Sequence, residues 1–115
     1  ENMPIKMKCK LCSFQGNHGF VPTNGGLNVY HSENPDGSGQ SRCNYYIGDD
    51  NEVYKTELEL FKAVTMPTAL KQTGNRLSTK IWCQARIATI TGHPRKAEKL
   101  YNQWQKQLDG EGGET

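Results

Sequence analysis

The first part of the chain has the pattern of extended structure. Its first apolar residues occupy every second position, which is the period of a β-strand: Met3, Ile5 and Met7. Residues 15–19 are rich in glycine and predict a loop, which Phe20 and Val21 follow. A small hairpin is therefore expected over residues 1–23.

Turn-forming residues divide the next segment. Asn24 and the two glycines after it interrupt the pattern, and residues 27–31 are expected to form a short helix capped by Asn24. Residues 32–41 are almost all polar or turn-forming, which predicts a loop. Residues 43–47 predict a strand that ends at Gly48.

From about residue 50 the pattern becomes helical. A first helix is predicted from Asp50 or Asn51 to about Val64, and a short second helix over residues 65–72. A third helix is expected to begin with Ser78 as its cap and to run to about residue 91.

The fourth predicted helix has the clearest pattern. Pro94 stands at its first position, where proline is tolerated because no backbone donor is lost. Its apolar residues fall at i, i+3, i+4, i+7 and i+11: Ala97, Leu100, Tyr101, Trp104 and Leu108. This single stripe predicts a helix that packs along one side.

The composition indicates that the fold needs additional stabilisation. Only 34% of the 115 residues are apolar, and the mean hydropathy is −0.81. A chain of this length buries roughly 65% of its unfolded surface, and here little of that surface is apolar. A metal, a disulfide or a partner is therefore expected.

The cysteines supply candidate metal ligands. Cys9 and Cys12 are too close in sequence for an ordinary structural disulfide, but their spacing suits one tetrahedral Zn²⁺, so metal is favoured over a disulfide scaffold. The preferred ligand set is Cys9, Cys12, His31 and Cys43, and His18 is the first substitute if His31 is not a ligand. Cys83 lies within the third predicted helix and is expected to be a core thiol.

The same segment resembles a known motif. Lys8 to Cys12, then Phe20, and then Leu27 before His31 are similar to a stretched zinc finger with two cysteines and two histidines, or a Cys-Cys-His-Cys variant. The resemblance covers residues 7–43. It implies a zinc ion held between a hairpin that carries the cysteines and a short helix that carries a histidine.

These elements together predict a small α+β protein. A zinc-stabilised β-hairpin and short helix are expected at the N-terminus, followed by a mostly α part of three to four helices. The predicted division is a zinc-binding subdomain over residues 1–48 and a basic helical part over 49–108, packed on it as one domain. Residues 109–115 are acidic and glycine-rich, and predict a disordered tail.

Charge is unevenly distributed along the chain. The net charge is +2, yet residues 66–107 carry eight bases and one acid, a local charge of +7. Such a segment suits a phosphate backbone, so nucleic acid, DNA or RNA, is the expected partner. The residues expected to contact it are Arg76, Lys80, Arg86, Arg95, Lys96 and Lys99.

Other functions stay open at this point. A protein-interaction adaptor, of the kind found in viruses or mobile elements, is the second hypothesis, and a small zinc-associated nuclease is the third. Cys9 and Cys12 could also form a redox pair, but the βαβ context of such pairs is missing. No compact catalytic constellation is visible, which favours a binding protein over an enzyme. An intracellular location, in the cytoplasm or nucleus, and no membrane insertion are expected.

Overall fold

The structure is a computed structural model that describes residues 5–36 and 38–112, apart from the side chains of residues 40–43 and 112. The α+β class is confirmed. A five-stranded antiparallel sheet in the order β1-β2-β3-β4-β5 precedes the C-terminal helices. Its strands are β1 (Ile5–Lys8), β2 (Gln15–Thr23), β3 (Gly26–Ser32), β4 (Gln40–Gly48) and β5 (Val53–Tyr54).

The short helix predicted over residues 27–31 is wrong, because these residues belong to β3. Val29 and His31 are buried while Asn28 and Tyr30 are only partly so, which is the two-residue period of a strand. Asn24 and Gly25 form the hairpin turn between β2 and β3, with Gly25 at a φ of 92°. An Asn-Gly pair between two strands is a hairpin signal rather than a helix cap.

The predicted loop at residues 15–19 is also wrong, because it is the first half of β2. This segment pairs with β1 on one side, and with β3 on the other from Asn17 onward. A β-carbon at Gly19 would collide with the ring of Tyr30, so this glycine makes room for a side chain of the neighbouring strand. Glycine here permits close packing rather than a loop.

The first predicted helix begins later than expected. Residues 50–54 form a turn and the short strand β5, with Asn51 at a φ of 68°. Helix α1 (Glu57–Leu60) follows, and the Thr56 side chain caps it by accepting a hydrogen bond from the Glu59 amide at 3.1 Å. The helical path continues through one π-helical turn at Phe61–Thr65 into α2 (Met66–Gln72).

The last two helices follow the prediction closely. Helix α3 spans Leu77–Ile90 and helix α4 spans Pro94–Gly112, so α4 begins at the expected proline. The apolar stripe of α4 is its buried and partly buried side, with Ala97 5% exposed. Helix α4 also includes residues 109–112, which fall within the tail predicted to be disordered. Residues 113–115 lie outside the described residues.

Ser78 does not cap α3, contrary to the prediction. Arg76 occupies the N-cap position, and Ser78 is a buried residue of the first turn. Its hydroxyl donates to Glu111 Oε1 at 2.5 Å and its amide donates to Glu111 Oε2 at 3.3 Å. The Glu111 carboxylate, near the C-terminal end of α4, therefore accepts hydrogen bonds from the first turn of α3. Because the beginning of α3 lies beside the end of α4, the two helices run antiparallel. These hydrogen bonds, with one from Gln107, lower the pKa of Glu111.

Acidification should weaken this link between α3 and α4. Because the pKa of Glu111 is lower in the folded chain than in the unfolded chain, its contribution is complete above the unfolded value, about 4.3, and is lost as the pH falls through the folded value. Glu111→Gln should therefore lose less stability than wild type between pH 7 and pH 3, as measured by thermal melts of the helical signal. Glu98→Gln, on the exposed side of α4, is the control. Parallel losses in wild type and Glu111→Gln would contradict this role.

The chain divides into two compact units, residues 1–64 and 65–115. This boundary lies later than the predicted one at residue 48, since β5 and α1 pack with β4 in the first unit. We call these the sheet unit and the helical unit. None of the described helices is both long enough and apolar enough to cross a membrane.

Candidate metal centre

Two cysteines and one histidine converge inside the sheet unit. Cys9 and Cys12 lie in the connection between β1 and β2, and His31 lies near the end of β3. One ligand atom from each of these residues lies within 4.8 Å of the other two, and Cys12 Sγ is 3.3 Å from His31 Nε2. Ligands of one tetrahedral ion with bonds of ~2.0–2.3 Å stand roughly 3.3–3.8 Å apart. The three residues therefore form a group that could hold a metal ion.

Backbone hydrogen bonds fix the loop that carries the two cysteines. The amides of Leu11 and Cys12 donate to Cys9 Sγ at 3.2 and 3.3 Å. The Cys9 amide donates to the Phe14 carbonyl at 2.9 Å and closes the loop. Amides directed at a sulfur are favourable partners for the negative charge of a metal-bound thiolate. These hydrogen bonds hold the loop in one conformation, which fixes the positions of Cys9 and Cys12 relative to each other.

Aromatic packing fixes the imidazole of His31. The ring is fully buried, and Phe14 stacks on it with centroids 4.3 Å apart and an interplanar angle of 11°. The ring of His18 meets it edge-on at 4.6 Å. Cys9, Val29 and Tyr45 are the buried core residues of this unit, and Cys12 and Phe14 pack against them. The candidate ligands are therefore part of the hydrophobic core of the sheet unit.

His18 has an unusual environment for a buried histidine. It pairs directly with His31 across β2 and β3, and its relative exposure is 0%. Its Nδ1 lies 3.0 Å from the Gly16 carbonyl, so that nitrogen carries the proton and donates. Its Nε2 is buried and has no hydrogen-bond partner among the residues that the structure describes. Leaving such an atom unsatisfied costs on the order of 1–3 kcal/mol.

His18 stands just outside the three-residue group, since its ring nitrogens are not within 4.8 Å of all three ligand atoms. Its environment is nevertheless that of a metal ligand, because ligating histidines usually donate their second nitrogen to a carbonyl or carboxylate.

The two remaining cysteines differ in position. Cys43 lies in β4, where the pairing with β3 shifts register between Val29 and His31, and its side chain lies outside the described residues. Its predicted role as a ligand therefore stays a prediction. Cys83 is buried in α3 of the helical unit, where desolvation raises the pKa of its thiol. It behaves as an apolar core residue rather than a reactive one.

Comparison with protein-family models, with curated proteins and with solved structures found no match.

The spacing of Cys9 and Cys12 identified two members of the group, and His31 was also expected there. His18 is predicted only as a substitute ligand, because the segment around it is expected to form a loop. The sequence does contain a signal for both histidines. His18 and Phe20 are two residues apart on one strand, and Val29 and His31 are two residues apart on the next. This period places both histidines on the same face of the sheet.

The predicted nucleic-acid contacts lie in the helical unit and are mostly exposed. Side chains at Lys80, Lys96 and Lys99 are exposed, as are those of Arg76 at the N-cap of α3 and Arg95 in the first turn of α4. Arg86 differs because it is partly buried, and its Nε has no hydrogen-bond partner among the described residues.

A concavity of about 210 Å³ lies where α3 meets α4. Its lining combines apolar and polar side chains, including one of the predicted contacts: Gln84, Ile87, Ala88, Thr91, His93 and Lys96. The polar members could hydrogen-bond to sugar or phosphate oxygens.

Proposed function

We propose that this protein is a zinc-stabilised nucleic-acid-binding module. The sheet unit holds one structural Zn²⁺ through Cys9, Cys12 and His31, and the helical unit contacts phosphates with its exposed bases. The observation that carries the proposal is the convergence of two sulfurs and one imidazole at the core of the sheet unit, with Cys9 and His31 buried and Cys12 partly buried.

The donor atoms favour zinc over other common ions. Two thiolates and an imidazole are soft or borderline ligands, whereas Mg²⁺ and Ca²⁺ select oxygen donors. Burial favours a structural role, because catalytic zinc keeps a position open to water. Cys9 is 5% exposed and His31 is 0% exposed, while Cys12 is partly buried, so two of the three ligands lie away from solvent.

His18 is our preferred fourth ligand, and Cys43 is the alternative. The buried and unsatisfied Nε2 of His18 supports this assignment, because a metal bond would remove the cost of its burial. Cys43 would instead give a site with three sulfurs.

Replacement of the two candidates distinguishes them. His18→Ala should weaken the affinity for Co²⁺, used as a spectroscopic substitute for Zn²⁺, by tenfold or more, while Cys43→Ser should leave both affinity and visible spectrum unchanged. The number of cobalt–thiolate bonds sets the intensity of the charge-transfer bands, so the spectrum tests the assignment as well as the affinity. Altered bands in Cys43→Ser together with a normal His18→Ala spectrum would assign the position to Cys43.

Charge and exposure support nucleic acid as the partner of the helical unit. Residues 65–115 carry eight bases and four acids, a net charge of +4, and five of the six predicted contacts are exposed. If each of these five side chains neutralises one phosphate of a DNA duplex, the logarithm of the binding constant should fall with the logarithm of salt concentration with a slope of about −4.5. Fluorescence anisotropy with a labelled oligonucleotide measures this slope. An absence of binding at low salt would eliminate the nucleic-acid assignment.

Metal-bound thiolates persist where thiols remain reduced. The proposal therefore places the protein in the cytoplasm or the nucleus.

A further inference from the structure

The sheet unit has a second face, opposite the candidate metal ligands. Because side chains alternate along a strand, residues adjacent to His18 and His31 lie on that other face. The register pairs Lys6 with Asn17 and Lys8 with Gln15, and it pairs Tyr30 with Gly19. We call these five side chains the lysine face: Lys6, Lys8, Gln15, Asn17 and Tyr30.

Charge within the sheet unit is segregated along the chain and across the sheet. Residues 2–32 contain three lysines and no acid. Apart from Glu1, which lies outside the described residues, the acids begin at Glu33 in the loop between β3 and β4, continue with Asp36, and concentrate in the turn between β4 and β5 and in α1: Asp49, Asp50, Glu52, Glu57 and Glu59. Since β1 and β5 are opposite edges of the sheet, the lysines stand at the edge far from most of the acids.

The two lysines of β1 are available to a ligand. Lys6 and Lys8 are exposed, and no carboxylate of a described residue forms an ion pair with either. An open concavity of about 320 Å³ lies beside them, lined by Lys6, Met7, Lys8, Gln15 and Gly16. Two exposed ammonium groups at a concave surface attract a polyanion.

Tyr30 adds an aromatic ring to the same face. Its ring packs over Gly19, in space that a β-carbon would fill, and the side chain remains partly exposed. Strand spacing of ~4.8 Å and a rise of ~3.3 Å per residue place it roughly 12 Å from Lys6. An exposed aromatic near basic side chains is the arrangement that binds single strands, whose unpaired bases stack on the ring.

We propose that the lysine face binds single-stranded nucleic acid. Lys6 and Lys8 contact successive phosphates, Tyr30 stacks on a base, and the amides of Gln15 and Asn17 hydrogen-bond to the strand. This inference deepens the proposed function, on which it rests for the class of partner, but it uses surface separate from the helical bases. RNA and DNA share the required chemistry, since both supply phosphates and unpaired bases.

Lysines on an edge strand also have a protective role, because they prevent pairing with the edge of another chain. Under that alternative the charges would govern association of the protein with itself and not its affinity for nucleic acid. The experiment must therefore measure both properties.

The test uses the full chain loaded with zinc and labelled single-stranded oligonucleotides of DNA and of RNA, with a duplex of equal length for comparison. Lys6→Glu/Lys8→Glu should reduce single-strand affinity by tenfold or more and make the salt slope shallower by about 1.4, because each phosphate contact with a single strand contributes about 0.7. Lys55→Glu/Lys62→Glu changes the charge of the same unit equally at exposed positions, and should change affinity by less than threefold.

Replacement of the aromatic ring tests stacking without changing charge. Tyr30→Leu should lower single-strand affinity by about fivefold or more, while duplex affinity and the salt slope stay unchanged. The ratio of the affinities for the DNA and RNA strands shows which of the two nucleic acids the lysine face prefers. Zinc content and circular dichroism confirm that each variant has folded.

The results distinguish binding by the lysine face from the proposed nucleic-acid binding by the helical unit. Loss of binding only in Lys96→Glu/Lys99→Glu, a variant of the helical unit, would overturn the lysine face and leave the proposed function standing. No binding by wild type would overturn both. If Lys6→Glu/Lys8→Glu changes only the oligomeric state in size-exclusion chromatography, the lysines protect the edge and the inference is overturned.

Discussion

Chelation of the metal is expected to unfold the sheet unit. A structural Zn²⁺ contributes on the order of 10 kcal/mol to folding, which is comparable to the entire stability of an ordinary domain, about 5–15 kcal/mol. Cys9 and His31 are buried and Cys12 packs against the core, so removal of the ion would leave the charge of the thiolates in a mostly apolar environment. Amide resonances of residues 5–64 should collapse to the narrow range of an unfolded chain after chelator is added, and should return after zinc is restored.

Substitution of either cysteine should have the same effect. Cys9→Ser and Cys12→Ser are each expected to lose stoichiometric metal and the dispersed resonances of the sheet. Cys83→Ala is the matched control, because it removes a buried thiol of the helical unit and should keep one metal per chain. A Cys9→Ser variant with an intact sheet, insensitive to chelator, would refute a structural role for the ion.

Replacement of the bases at the start of α4 should strongly weaken the binding of nucleic acid. Lys96→Glu/Lys99→Glu should reduce affinity for nucleic acid by roughly tenfold or more and make the salt slope shallower by about 2, because each lost phosphate contact removes about 0.9. Both side chains are exposed, so the fold should tolerate the change. The measurement is anisotropy over a range of salt concentrations.

A matched variant controls for the overall change in charge. Lys71→Glu/Lys106→Glu alters the same number of charges in the helical unit, at exposed positions outside the predicted contacts. It should retain most of the affinity. Equal losses in the two double variants would mean that the helical unit attracts nucleic acid by net charge alone, without a defined contact surface.

The helical half of the fold could be predicted well because its signals are local. Pro94 and the apolar stripe that begins at Ala97 determine the start and the packed side of α4. The end of α4 was missed, because glycines near residue 110 argue against a helix in isolation. Its last turn is stabilised by contact between Glu111 and Ser78, which are far apart in sequence.

The sheet was predicted less completely because its evidence is not local. Residues 27–31 can form a short helix by their composition, and only pairing with β2 and β4 makes them a strand. Glycines in β2 suggested a loop, although Gly19 is required by the ring of Tyr30 on the next strand. Pairing between strands can override local preference in this way.

The candidate metal site also depends on both local and non-local features of the sequence. The separation of Cys9 from Cys12 is a local signal and predicted both residues, together with the expectation of one tetrahedral ion. The approach of His31 to Cys12 depends on the order of strands, which the sequence did not reveal. The buried nitrogen of His18 is a property of packing alone.

Native mass spectrometry of the purified full chain, before and after treatment with a chelator, tests the metal centre most directly. The predicted spectrum shows one zinc ion per polypeptide, released by the chelator together with a shift to the high charge states of an unfolded protein. A metal-free mass in the untreated sample, with a compact charge distribution, would contradict a zinc-dependent core.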